Sequence, residues 1–194
     1  MESIRELLVD EMRDLYDAEK QLVKALPKMA KNSTNDELRE AIENHLEQTK
    51  GHVQRLEQAF EMLDGKARSK PCKGMRGLIE EGAETLGEDL SDPLKDSAII
   101  CAAQKVEHYE IAGYGTVTAW ARSLGLDDVA ELLETTLSEE KEADEKLTRV
   151  AGDVFIEAET SSIEENEDQE TVDAGRRGAA SKSGNGARSK RRAS

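Results

Sequence analysis

A chain of 194 residues with three prolines, 3% aromatic and 36% charged residues is a poor candidate for a β-sandwich or barrel, and its Ala, Leu, Glu and Lys content favours helix. No run reaches the roughly 18 apolar residues of a membrane helix, and the first residues carry charge where a secretory leader would be apolar. The net charge of -15 disfavours nucleic acid as a partner of the main body.

The first helix is expected from Ser3, where Ser3 and Glu6 form a capping box. Leu8, Met12, Leu15, Leu22, Leu26 and Met29 follow at spacings of three and four, one buried stripe, with Pro27 bending the helix near its end. After the turn at 32–35, Thr34 and Glu37 offer a second capping box. Leu38, Ile42, Leu56, Ala59 and Leu63 then mark a helix that stops at Asp64-Gly65. Two long helices joined by so short a turn make an antiparallel hairpin.

Residues 65–92 are too many for a tight turn and contain one shorter helical pattern, Met75-Leu78-Ile79-Gly82-Leu86. Ser91-Asp92-Pro93 restarts the chain with a cap and proline in the first turn. The third long helix carries Ala103, Val106, Gly113, Val117 and Ala121, and Gly51, Gly113 and Gly115 suggest close helix approach. Past the turn at 124–126, the fourth carries Val129, Leu133, Leu147 and Val150 and is expected to end near Gly152. The fold class is therefore all-α: a four-helix bundle of two antiparallel hairpins joined by a long crossover containing a short helix, the ferritin-like connectivity. The bundle is expected over residues 1–157. Residues 158–194 are expected as a disordered tail, since neither the acidic stretch 157–173 nor the basic stretch 176–194 can bury a core.

Each stripe is broken by polar residues at mid-length. Glu19 interrupts the first, His45, Thr49 and His52 the second, Glu110 the third, and Thr136 and Glu140 the fourth. Mid-helix positions of an antiparallel bundle share one level, so carboxylates and imidazoles converge there. Burial disfavours unpaired carboxylates, and a divalent cation keeps several of them ionised together. Carboxylate with imidazole suits iron, manganese or zinc. Glu107, one turn before Glu110, and Asp144, one turn after Glu140, are additional candidate ligands. Set singly, any of these residues reads as a salt-bridged or core-satisfied group; the shared level favours a metal site. His108 points off the stripe, and Tyr109 and Tyr114 are expected to pack between helices, with hydroxyls near a metal as the alternative.

The segments Asp17-Ala18-Glu19-Lys20-Gln21-Leu22, His45-Leu46-Glu47-Gln48-Thr49, Gly77-Leu78-Ile79-Glu80-Glu81-Gly82, the stretch from Ala103 to Thr116, and the stretch from Glu139 to Leu147 closely resemble the YciE/YciF family of ferritin-like proteins. The resemblance covers about residues 3–155. It implies a ferritin-like bundle, a homodimer, and an association with bacterial stress responses. The chain departs from the di-iron pattern of Glu-x-x-His on two helices: Ile42, Thr49 and Lys105 precede the three histidines at that offset, and Gln48 stands where a second carboxylate of the second helix is expected. A degenerate or mononuclear site is therefore an alternative to a full two-metal one.

Three functions compete. The first is a cytoplasmic metal-binding protein, acting as a metal-dependent oxidoreductase on peroxide or dioxygen. The second is a dimeric scaffold whose site is degenerate and holds no metal. The third is a nucleic-acid protectant acting through the seven basic residues between Arg176 and Ser194. Cys72 and Cys101 are expected as reduced thiols.

Overall fold

The computed structural model describes residues 3–183, with side chains described as far as Thr160. These residues form five helices in chain order: α1 (Ile4–Asn32), α2 (Asp36–Met62), α3 (Lys73–Leu86), α4 (Asp92–Ser123) and α5 (Asp127–Ser183). The Ser3 hydroxyl caps α1 by accepting from the Glu6 amide, and α1 continues through Pro27. The second cap is shifted by one residue: Asn35, not Thr34, accepts from the Leu38 amide. Thr34 is engaged elsewhere, as described below. At the far ends of α2 and α4 the chain turns through left-handed backbone, at Asp64 (φ 57°) and Gly125 (φ 69°).

The four long helices close into a ring, in which α1 packs on α2 and α4, and α5 packs on α2 and α4. Side-chain pairs give the directions. Tyr16 meets Glu57 while Glu19 meets His52, so α1 and α2 run oppositely. Lys146 meets Glu37 while Glu139 meets Arg55, so α2 and α5 also run oppositely. The start of α4 lies at the α1–α2 turn, where buried Asp96 accepts hydrogen bonds from the amides of Thr34 and Asn35 and the hydroxyls of Ser33 and Thr34. The segment between α2 and α4 therefore travels from one end of the ring to the other. Its helix α3 is fastened to α1 and α4 by Met75, fully buried, and by Cys72. The Cys72 Sγ accepts from the Met75 amide and lies 3.0 Å from the Tyr109 hydroxyl, which donates to Asp14.

Two apolar cores fill the ring. One gathers Leu22, Leu26, Leu38, Ile42, Ile99, Ile100, Leu147 and Val150 near the α1–α2 turn. The other gathers Leu8, Met12, Leu56, Phe60, Val117, Leu133 and their neighbours near the α4–α5 turn. Gly113 permits the close approach expected of it, since a Cβ there would meet Leu15 Cδ2 at 2.7 Å. Gly51 and Gly115 do not, because a Cβ on either meets nothing within 4 Å.

The end of the last helix also differs from expectation. The α5 backbone passes Gly152 and is helical to Ser183. No proline interrupts residues 127–183, and glutamate and alanine sustain a helix even where there is no core to bury. Residues 184–194, with Arg188, Lys190, Arg191 and Arg192 of the basic stretch, lie outside the described residues. No described helix is long and apolar enough to cross a membrane. Both cysteines are free, Cys72 buried and Cys101 exposed.

Candidate metal centre

Between the two cores lies a layer of buried polar residues. Glu19, His52, Glu110 and Glu140 are fully buried, with Glu107 and His45 nearly so. The helical period explains the placement: His45 and His52 are two turns apart on one face of α2, and Glu107 and Glu110 are one turn apart on α4. Donor atoms of His45, Glu107, Glu110 and Glu140 all lie within 4.8 Å of one another, and so do those of Glu19, His52 and Glu140. Metal–ligand bonds of about 2.0–2.2 Å span such separations with small adjustments. Glu140 belongs to both groups, so its two oxygens can serve two adjacent positions.

The hydrogen bonding within the layer is incomplete. Both ring nitrogens of His45, both oxygens of Glu110 and Glu140, one oxygen each of Glu19 and Glu107, and His52 Nδ1 have no hydrogen-bond partner. Buried polar atoms left in this condition cost about 1–3 kcal/mol each, more when charged. His52 Nδ1 is 2.9 Å from Glu140 Oε1 and 3.4 Å from Glu19 Oε1, yet is aligned with neither as a hydrogen bond. His45 Nε2 is 3.4 Å from Glu107 and 3.7 Å from Glu140. A cation between these groups would balance the buried carboxylates, and nitrogen and carboxylate donors are the set that first-row divalent ions take.

The protonation pattern leads to the same point. Burial pushes Glu107 and Glu110 well above the usual carboxylate range, and the neighbouring carboxylates of Glu140 and Glu19 add to it. Glu19 is also raised by burial, with His52 working against it. Burial would lower His52, but its contacts with Glu140 and Glu19 outweigh this and push its pKa up to about 10. Burial keeps His45 below its ordinary value. Burial likewise opposes the charge on Glu140, but the two histidines hold its pKa down. Without a metal the layer therefore keeps protons on Glu107 and Glu110, and the His52 imidazolium supplies its internal cation.

A second set of groups orients the first. His52 Nε2 lies 2.8 Å from Glu139, and Arg55 grips both oxygens of Glu139 at 2.6 and 2.8 Å while also reaching the Thr136 hydroxyl. This places the Nε2 proton toward Glu139 and leaves Nδ1 facing the centre, the arrangement by which carboxylates orient metal-binding histidines. The Tyr114 hydroxyl donates to Glu19 at 2.5 Å, and Thr49 donates to the His45 carbonyl.

Of the residues singled out from the sequence, Glu19, His45, His52, Glu107, Glu110 and Glu140 are brought together. Asp144 is in neither group: it accepts from Gln104 and lies 3.4 Å from the ring of His108, itself largely exposed. One helical turn past Glu140 has rotated it toward the outer edge of α4. Gln48 is half-buried and lines one cavity together with His45. Sequence reasoning missed Glu139 and Arg55, and it put packing ahead of the hydroxyl that Tyr114 turns to Glu19. The available signal was spacing, since Arg55 lies one turn beyond His52 and Tyr114 one turn beyond Glu110.

Comparison with known proteins follows the same lines. Residues 3–175 match the family described as a domain of unknown function, DUF892. The chain is 43% identical to the protein YciF of Escherichia coli K12 over 152 residues, covering 78% of this chain and 92% of that one. The crystal structure of the E. coli stress protein YciF superposes with a TM-score of 0.78 at 42% identity, covering 80% of this chain and 98% of that one. YcfI of Rhodopseudomonas palustris gives 0.74 at 46% identity, with 76% and 94% covered. A Xanthomonas campestris protein gives 0.64 at 26% identity, with 82% and 97% covered. By a match spanning most of its length and by its likeness to YciF, the chain belongs to the DUF892 family.

Proposed function

We propose that this protein is a ferritin-like metalloprotein whose bundle centre holds two divalent ions, iron or manganese before zinc, and acts on peroxide or dioxygen in a bacterial stress response. One observation carries the reading: Glu140 belongs to two buried groups of metal-type donors, each with its own histidine. The missing Glu-x-x-His pattern loses its force because both imidazoles come from α2, at His45 and His52, instead of from two helices. The likeness to the stress protein YciF supports the biological setting. A homodimer in the cytoplasm belongs to the same proposal, on the family resemblance.

A pair of ions that each change oxidation state by one supplies the two electrons that peroxide or dioxygen chemistry needs. The protein's own part is to hold Glu107 and Glu110 ready to release their protons to solvent as metal enters, to orient His52 through Glu139, and to keep water out with the apolar cores on either side. Metal content should be measured by plasma mass spectrometry on untagged protein purified without chelators. About two ions per chain are expected, falling to one or none in Glu140→Ala, with hydrogen peroxide consumed only by the loaded protein. Metal content that is unchanged in Glu140→Ala, or no uptake on titration, overturns the reading and leaves a helical scaffold.

A further inference from the structure

Residues 20–31 of α1 hold four lysines and no acid, in a chain whose net charge is -15. Lys20, Lys24, Lys28 and Lys31 recur at spacings of four, four and three, so they form one stripe about 16 Å long. All four are exposed, and among the described residues none is ion-paired; Lys20 lies over the Tyr16 ring, 4.8 Å from its centroid. Like charges one turn apart on a helix repel, so the stripe is complete only with a source of carboxylates beside it. Away from the α1–α2 turn the stripe enters a shallow groove of about 400 Å³ between α1 and α2. Half-buried Val23 and Val53 line that groove together with Lys20, Lys24 and Lys50. Its acid, Glu57, is occupied by the Tyr16 hydroxyl.

The same sequence carries the complement. Residues 157–173 have eight acids and no base. α5 keeps its contact with the bundle as far as buried Ala158, and its backbone is helical to Ser183. The stretch 159–173 therefore leaves the bundle at the end where the α1–α2 turn lies, and spans about 22 Å as helix. It cannot reach the lysines of its own chain. It travels outward from the turn while the stripe runs back from it, and α5 lies across the ring from α1.

A second copy set end to end with the first, turn against turn, brings its stripe into the path of this extension. The order of charge agrees with that direction. The extension is acidic to Asp173 and basic from Arg176. Read back from its turn, α1 is basic from Lys31 to Lys20 and then acidic at Asp17, Asp14 and Asp10, although these three are engaged by the Cys72 amide, Tyr109 and Lys70.

We propose that the lysine stripe and groove of α1 bind the acidic stretch 157–173 of a second copy, antiparallel to α1 and reciprocally, so that each chain holds the other. The existence of the dimer rests on the proposed function; the surface assigned to it does not depend on the metal centre.

The test uses full-length protein. Isotope-labelled and unlabelled chains are mixed in urea, refolded together and treated with a carbodiimide, which joins a lysine amine to a carboxylate in contact with it. Mass spectrometry of the digest should find links from Lys20, Lys24, Lys28 or Lys31 of one chain to carboxylates of 157–173 of the other. Their yield should fall at about 0.5 M salt, where screening is short-ranged. Lys24→Glu with Lys28→Glu, both at exposed positions, should raise the dimer dissociation constant about tenfold or more in sedimentation equilibrium, at unchanged circular dichroism. Adding Glu164→Lys and Glu165→Lys to the same chain should recover part of that loss, as a paired contact requires. Links confined to single chains, a dimer linked only through other surfaces, or equal dissociation constants for wild type and the double variant overturn this contact and leave the homodimer standing. A monomer throughout overturns both.

Discussion

His52 and Glu139 meet at 2.8 Å through Nε2, the ring nitrogen turned away from the buried carboxylates. That contact decides which tautomer faces Glu140 and Glu19, and Arg55 keeps Glu139 anionic and in place. Glu139 itself is only partly buried, and its pKa is lowered because the bonds from Arg55 and His52 outweigh its burial. Replacing it with glutamine weakens the bond without removing bulk. Glu139→Gln is expected to bind metal about 10–100-fold more weakly while keeping its helical circular dichroism. Competition with a coloured chelator measures this, and unaltered affinity would show that Glu139 does not orient the ligand.

Metal entry must displace protons. Glu107 and Glu110 hold theirs above the usual carboxylate range, and His52 titrates at about 10, so uptake near neutrality should release protons and affinity should rise with pH. Calorimetric titration in two buffers of different ionisation enthalpy counts the protons directly. A buffer-independent heat would mean that the donors were already deprotonated.

The stability of metal-free protein should depend on pH in a defined direction. Glu107 and Glu110 have folded-state pKa values above the ordinary 4.5 of a free glutamate, so above that value the native state binds more protons than the unfolded one. Their relative contribution is full below it and is lost as pH rises through the folded values. His52 acts in the same sense, from 6.5 unfolded to about 10 folded. Melting temperature of the metal-free form should therefore fall from pH 5 to pH 9, and added metal should reduce or reverse the slope. A melting temperature that rises over this range without metal would contradict the assigned protonation states.

Asp96 joins the start of α4 to the α1–α2 turn through both of its oxygens. Asp96→Ala leaves two amides and the Thr34 hydroxyl short of acceptors, the Ser33 hydroxyl keeping the Asn35 carbonyl, and is expected to cost about 2–3 kcal/mol. Urea unfolding would show a lower midpoint at unchanged slope, and a loss below about 0.5 kcal/mol would mean that water replaces the carboxylate.

The glycines separate by sign. Gly115→Ala, with open space around the new methyl, should stabilise by about 0.5–1 kcal/mol through helix propensity. Gly113→Val should destabilise by about 1–3 kcal/mol because its side chain enters the space of Leu15. Leu15→Ala in the same chain should recover part of that loss, and additive effects in the double-mutant cycle would deny the contact.

Much of the centre was legible because the helical period is rigid. Polar residues that interrupt an apolar stripe must enter the layer, which identified Glu19, His45, His52, Glu110 and Glu140. One turn beyond the stripe the same reasoning divides: Glu107 turns inward and Asp144 outward, because helix rotation and the neighbouring helix determine what an adjoining row meets. Contacts such as Tyr114 with Glu19, Arg55 with Glu139 and Asp96 with Thr34 join residues 62–95 positions apart, and no local pattern announces them. The cap at Asn35 was a local contest that Asp96 settled by engaging Thr34. Gly152 does not end α5, because one glycine costs a helix only about 1 kcal/mol and no proline follows it.

The two hairpins close at opposite ends of the ring. The α1–α2 turn lies against the open end of the α4–α5 pair, and the α4–α5 turn lies against the open end of the α1–α2 pair. Helix termini ordinarily fray first, but the start of α4 is clasped by the α1–α2 turn, while α5 runs on past it. Amides at the start of α4 should therefore exchange with solvent far more slowly than those of a free terminus, and separating one hairpin from the other releases both ends at once.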